Sequence, residues 1–157
     1  MKELLVFANT FQVVGDLDNV LDFAQQHSEE FSIRAILTSC RSARILKSAM
    51  NKLGIEIPVG YLASLTEMPL LDGSSVMAPL RELEEGKPLA LKVLYATKEK
   101  NLSLVLMAGF RDLGPLVLGY PGLMRSRVKE VHILNGRVNE TLNFFIDSKV
   151  PIFENVL

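Results

Sequence analysis

The run Gly15-Asp16-Leu17-Asp18-Asn19 packs two carboxylates and a carboxamide into five residues. Hard cations such as Ca²⁺ are bound by several oxygens of this kind. Asp16, Asp18 and Asn19 are therefore candidate metal ligands, and Ca²⁺ is the ion they would suit. The same residues have a plainer reading. An aspartate just ahead of a helical apolar pattern accepts hydrogen bonds from the first free N–H groups of that helix, and Gly15 suits the turn before it. Both readings fit the spacing, and the cap is the commoner use of such residues.

Cys40 stands between a predicted strand and a predicted helix, with Arg41 and Arg44 close behind. Nearby cations and a helix start lower a thiol pKa and favour the nucleophilic thiolate. A small, reduced, half-buried side chain is the alternative. Arg41, Arg44 and Lys47 recur every third residue. Such a stripe either clamps a phosphate or forms the solvated face of an amphipathic helix, which is more common. His27 is expected at a helix end, where a cation compensates the dipole, and His132 is expected as a structural residue within a strand. The chain has no Walker-type loop, no Gly-x-Gly-x-x-Gly and no Gly-x-Ser-x-Gly elbow.

These residues must be positioned by the elements around them. Leu4-Leu5-Val6-Phe7-Ala8 is a continuous apolar run, the pattern of a strand buried on both faces. Comparable runs occupy residues 31–37, 57–62, 102–108, 128–134 and 150–153. Helical spacing fills residues 18–27, 42–53 and 88–100, the second of these stopping at Gly54. Residues 113–124 are apolar but interrupted by Gly114, Pro115, Gly119, Pro121 and Gly122, which predicts a broken helix. Residues 63–80 have no clear period and read as the longest loop.

This alternation predicts an α/β fold: one domain over residues 1–157, with an open, mostly parallel sheet of about six strands and helices on both faces. Ligands of such sheets bind beyond the carboxyl ends of the strands. That rule selects Asn9, Thr10 and Gln12, together with the acidic run, after the first strand. It selects Thr38, Ser39, Cys40 and Arg41 after the second, Gly109, Arg111 and Asp112 after the fourth, and Asn135, Gly136 and Asn139 after the fifth.

Composition removes several function classes. The 157 residues are 48% hydrophobic and 22% charged, with a mean hydropathy of +0.24. Such a chain can bury a core and lacks the composition of a disordered one. Seventeen Lys and Arg against eighteen Asp and Glu give a net charge of −1, which argues against a nucleic-acid partner. One cysteine and two histidines exclude an intramolecular disulfide and a Cys- or His-rich zinc site. No apolar run approaches the ~20 residues of a membrane span. Met1-Lys2-Glu3-Leu4 leads into the first strand without a small-residue cleavage site, so a cytoplasmic protein is expected.

The order of segments resembles the inosine-uridine nucleoside hydrolases. Residues 102–136 read as a strand ending in Ala108-Gly109, an apolar helix, then Arg127-Val128-Lys129-Glu130-Val131-His132-Ile133-Leu134-Asn135-Gly136. The family pattern there is a strand, Gly-Pro-Leu-Thr-Asn, an apolar helix and Arg-Ile-Lys-Glu-Ile-Val-Ile-Met-Gly-Gly. Leu53-Gly54-Ile55-Glu56-Ile57-Pro58-Val59 is similar to the family's helix end and Asp-Ile-Pro-Val. Asp147-Ser148-Lys149-Val150-Pro151-Ile152 is similar to Glu-Ser-Gly-Val-Pro-Ile. The resemblance covers most of this chain and about the first half of a usual family member.

What it implies is a Rossmann-like, nucleoside-hydrolase-like fold, with Ca²⁺ and a ribosyl group held at the strand ends. Asn9, Asp18, Asn135 and Asn143 become the ligand-binding candidates. The departures bear on chemistry. The family's Asp-x-Asp-x-Gly-x-Asp-Asp holds the metal and activates water; here Asn9 replaces its leading acids and Asp18-Asn19 its closing pair. An amide ligates a metal but does not act as a general base at neutral pH. The Gly-Asn element after the second strand is replaced by Ser39-Cys40-Arg41, Asp112 stands for the Thr of Gly-Pro-Leu-Thr-Asn, and only Asn143 matches the ribose-binding Glu-x-Asn. The family's later His-Asp pair falls beyond Leu157.

The expectation is therefore a degenerate relative that keeps a ribosyl or small-ligand pocket, with a nucleoside or other ribose-containing molecule as partner. Two alternatives remain. One is an active Ca²⁺-dependent nucleoside hydrolase cleaving the N-glycosyl bond. The other is a non-catalytic homo-oligomer joined through the apolar residues 113–124.

Overall fold

The fold was obtained as a computed structural model, which describes residues 2–8, 22, 29–62, 77–107, 113–134 and 142–154. Seven strands form one parallel sheet: β1 (Lys2–Ala8), β2 (Phe31–Ser39), β3 (Val59–Leu62), β4 (Glu84–Glu85), β5 (Leu102–Met107), β6 (Val128–Leu134) and β7 (Ile152–Glu154). Their order is β4-β3-β2-β1-β5-β6-β7. The chain steps outward from β1 to β4, returns to the other edge of β1 as β5, and steps outward again to β7. β1 is thus the strand at which the winding reverses. Its Leu4 pairs with Ile33 on one side and Ser103 on the other, and its last residue, Ala8, pairs with Met107.

Side-chain alternation explains why both faces need helices. Leu4, Val6 and Ala8 pack with Ala43, Leu46 and Met50 of α1 (Cys40–Leu53). Leu5 and Phe7 face the other way, into a larger cluster. There they meet Leu89, Ala90, Val93 and Leu94 of α2 (Gly86–Ala96) and Leu113 and Leu116 of α3 (Leu113–Gly119). Met124 of α4 (Pro121–Arg127) and Phe145 of α5 (Asn143–Asp147) join the same cluster. A strand so enclosed carries no exposed face, hence the unbroken apolar run.

Local signals set the helix ends. α1 buries Ala43, Leu46 and Met50 at helical spacing and stops at Gly54. Gly54 has φ 70°, and its N–H reaches the carbonyls of Met50 and Asn51. The broken helix is observed: Tyr120 separates α3 from α4, its N–H donating to the Leu116 carbonyl at 2.9 Å, and Pro121 opens α4. Arg44 differs from the solvated reading, because its Nε donates to the Ala78 carbonyl at 2.8 Å and ties residue 78 to α1. The sheet has seven strands rather than six because β4, two glutamates paired to Gly60 and Tyr61, adds a short edge. Among the described residues no helix is long and apolar enough to cross a membrane.

One contact governs how α2 sits on the sheet. A Cβ on Gly86 would stand 2.5 Å from Leu62 Cδ2 and 2.8 Å from the Tyr61 carbonyl oxygen. A Cβ on Gly60 would stand 2.7 Å from Leu37 Cδ2 and 3.1 Å from Gly86 Cα. The helix start and β3 therefore touch backbone to backbone. Gly86→Ala is expected to cost about 1–3 kcal/mol through overpacking against a carbonyl that cannot move aside. Gly122→Ala, with nothing within 4 Å of the new methyl, should stay within about 0.5 kcal/mol of the parent. Urea denaturation of both variants checks the contrast.

Candidate functional site at the strand carboxyl ends

The winding reverses between β1 and β5, so the carboxyl ends of these strands, at Ala8 and Met107, form the switch point of the sheet. Open α/β sheets bind ligands at such a switch point, because loops leaving neighbouring strands there diverge to opposite faces. Asn9, Asp16, Asp18, Asn19 and Asn135 lie outside the described residues, as do Thr10, Gln12, Gly15, His27, Gly109, Arg111, Asp112, Gly136 and Asn139. Asn143 is the exposed first residue of α5. Thr38 and Ser39 are buried at the end of β2, and Cys40 is half-buried at the start of α1 with Arg41 beside it. Among the described residues no group of three or more His, Cys, Asp and Glu side chains could hold a metal ion.

A cleft of about 360 Å³ opens at the same end of the sheet, on the face covered by α2 and α3. Phe7 of β1, Leu37 of β2 and Tyr61 and Leu62 of β3 line one side. The first turn of α2 and Pro115 and Leu116 of α3 line the other. Glu85 and Lys87 flank Gly86 at its edge, and both are exposed. Lys87 Nζ lies 5.7 Å from the centre of the Tyr120 ring. Sequence patterning placed Phe7, Leu37, Tyr61 and Leu62 in strands and Pro115 and Leu116 in a broken helix, and assigned Glu85, Gly86 and Lys87 to no element. The cleft depends on a close approach between segments 26 positions apart, Gly60 and Gly86, and no local spacing announces that.

A second polar group sits in the amino-terminal half of the sheet. Ser103 Oγ donates to Glu130 Oε1 at 2.9 Å, Lys2 Nζ lies 3.1 Å from the same oxygen, and His132 Nε2 lies 3.2 Å from it. The His132 ring stacks on Phe153 with centroids 5.2 Å apart. Ser, Glu and His in one cluster invite comparison with a hydrolase triad, but the order is wrong. The serine hydroxyl is given to the carboxylate, whereas a triad requires the imidazole to accept it. The group also lies away from the carboxyl ends. It is structural, in keeping with the reading of His132.

Its electrostatics follow from the contacts. Burial alone would raise the Glu130 pKa. The side chains of His132, Lys2 and Ser103 outweigh that and hold it down at about 2, against an ordinary value of 4.5. A depressed carboxylate stabilises the fold fully above its unfolded pKa and loses that contribution as pH falls toward the folded one. Acid should therefore weaken the protein between pH 4.5 and about 2 through this residue. Glu130→Gln should remove that component and lower neutral-pH stability by on the order of 2–3 kcal/mol. Urea titrations of both proteins across this pH range check the difference.

Comparison with known proteins places the architecture. No protein-family model matches the sequence, and no curated protein matches it. The fold, however, is similar to that of the type III effector protein XopQ, solved in complex with adenosine diphosphate ribose. The TM-score is 0.74 at 14% identity, over 98% of this chain and 57% of that one. It is also similar to the effector protein XOO4466, with a TM-score of 0.64 at 16% identity, over 95% of this chain and 51% of that one. The fold is nucleoside-hydrolase-like. The chain spans little more than half the length of either structure.

Proposed function

We propose that this is a nucleoside-hydrolase-like protein that binds a ribose-containing small molecule beyond the carboxyl ends of β1 and β5 and has lost classical N-glycosidic hydrolysis. The observation that carries the reading is the switch point between β1 and β5, in a fold shared with a protein solved with adenosine diphosphate ribose. The polar groups assigned to the ligand are Asn9, Asp18, Asn135 and Asn143. Asp16, Asp18 and Asn19, two carboxylates and an amide, have the donor chemistry of a hard cation, which makes Ca²⁺ the ion to test. When bound, such an ion would hold ribose hydroxyls. Loss of catalysis is inferred from Asn9, since a carboxamide does not take a proton from water at neutral pH.

Calorimetric titration with ribose, adenosine and ADP-ribose, with and without Ca²⁺, tests the proposal. Saturable heat is expected for at least one of the three. Asp18→Ala and Asn9→Ala should each weaken it by about tenfold, the worth of roughly one polar contact. Incubation with nucleosides should release no free base above the blank. A flat titration with all three compounds overturns the binding reading, and steady base release overturns the loss of catalysis.

The oligomeric reading has one support, Leu118 of α3, whose surface is 85% exposed. Sedimentation velocity at micromolar concentration decides it: a dimer sustains it and a monomer removes it.

A further inference from the structure

We propose that the cleft between β1–β3 and the starts of α2 and α3 is a binding pocket in its own right, for a small, neutral, flat ring compound. This goes beyond the ribosyl reading. It is carried by Phe7, Leu37, Leu62, Ala90 and Leu116 and by the geometry of α2, not by Asn9, Asp18 or Asn135.

The cleft's size suits a small ring. Its volume of about 360 Å³ falls in the range of pockets that enclose small molecules, about 300–1,000 Å³. The buried surfaces it draws on are apolar: Phe7, Leu37, Ala90 and Leu116 are each 3% exposed or less. Phe7, Pro88 and Pro115 bring rings to its lining, whereas the Tyr61 side chain packs on the other face of the sheet. Ring faces gain most from offset or edge contact with other rings.

Among the described residues, charge favours a neutral ligand. The charged side chains among its lining residues are Glu85 and Lys87. They have opposite signs, flank Gly86 and stay in solvent at the edge. An anion or a cation would meet one attraction and one repulsion at the mouth. Further in, it would lose its hydration against a wall whose described side chains are apolar. A neutral ring loses little water and gains the apolar wall.

The shape is built in. Gly86 lets α2 begin against the Tyr61 carbonyl and Leu62, so the helix start forms a wall rather than splaying away. Pro88 and Pro115 stiffen the two helix starts that face each other across the opening. A preformed wall reduces the ordering cost that otherwise consumes binding energy.

Methyl-resolved NMR with three probes tests the proposal: indole, the anion indole-3-acetate and the cation tryptamine. Indole should produce saturable shifts confined to the methyl groups of Leu37, Leu62 and Leu116. Each charged probe should bind at least about tenfold more weakly, the cost of partly dehydrating a charge. Ala90→Phe, which fills the cleft from the α2 side, should abolish the shifts in a protein whose circular dichroism matches the parent. Lys87→Gln should leave indole binding within about twofold, because no ion pair is involved. The proposal is overturned if indole gives no saturable shifts, if they centre on the exposed Leu118, if a folded Ala90→Phe protein binds indole unchanged, or if a charged probe binds as tightly. Should Ala90→Phe not fold, the shift map of the parent protein decides alone.

Discussion

β1 is hydrogen-bonded along both edges and covered on both faces, and the rest of the structure is arranged around that enclosure. Leu4, Leu5, Val6, Phe7 and Ala8 are each 3% exposed or less. A polar side chain in this position needs a buried partner, and Leu4 to Ala8 avoid that cost by being apolar. Any chemistry belonging to β1 must therefore begin after Ala8. The parallel pairing sets that level: Phe7 lies opposite Leu37 near the end of β2, and Ala8 lies opposite Met107, the last residue of β5. Switch point and core are two consequences of one strand.

The two helix layers answer the same constraint unequally. α1 seals Leu4, Val6 and Ala8 along the β1–β3 half of the sheet. Further across that face, β5 and β6 carry Ser103, Glu130 and His132 in place of apolar residues. A buried carboxylate is tolerable only when its oxygens are used, and here Lys2, Ser103 and His132 converge on one of them. The network also joins the amino terminus of the central strand to β6. Among the described residues the opposite layer carries the larger apolar cluster, and the cleft opens between its α2 and α3 starts beside Phe7 and Leu37.

Much of the architecture was legible in the sequence because its signals are local. The run 4–8 is apolar throughout and buried, the run 102–106 is broken only by Ser103, and Gly54 and Pro121 act through their own backbones. What escaped is what arises only from contacts distant in sequence. β4 is Glu84–Glu85, two acids with no strand signal, made a strand by pairing to Gly60 and Tyr61. α5 is five residues long, too short to show a period. Ser103 and Glu130 are 27 positions apart, so their bond has no spacing to betray it. The ligand candidates came from a rule about strand ends joined to a family resemblance. That rule points to the carboxyl end of the sheet; of its candidates Asn143 stands exposed at the start of α5, while Asn9, Asp16, Asp18, Asn19 and Asn135 fall outside the described residues.

The functional account thus rests on one placement: a ribose-containing ligand held beyond Ala8 and Met107, where β1 and β5 part. A crystal structure of this chain grown with ADP-ribose and Ca²⁺ measures that placement directly. The account predicts density for a ribosyl group within hydrogen-bonding distance of Asn9 and Asp18 at the carboxyl ends of β1 and β5. Ligand density only at another surface, or none at saturating ADP-ribose, would contradict it.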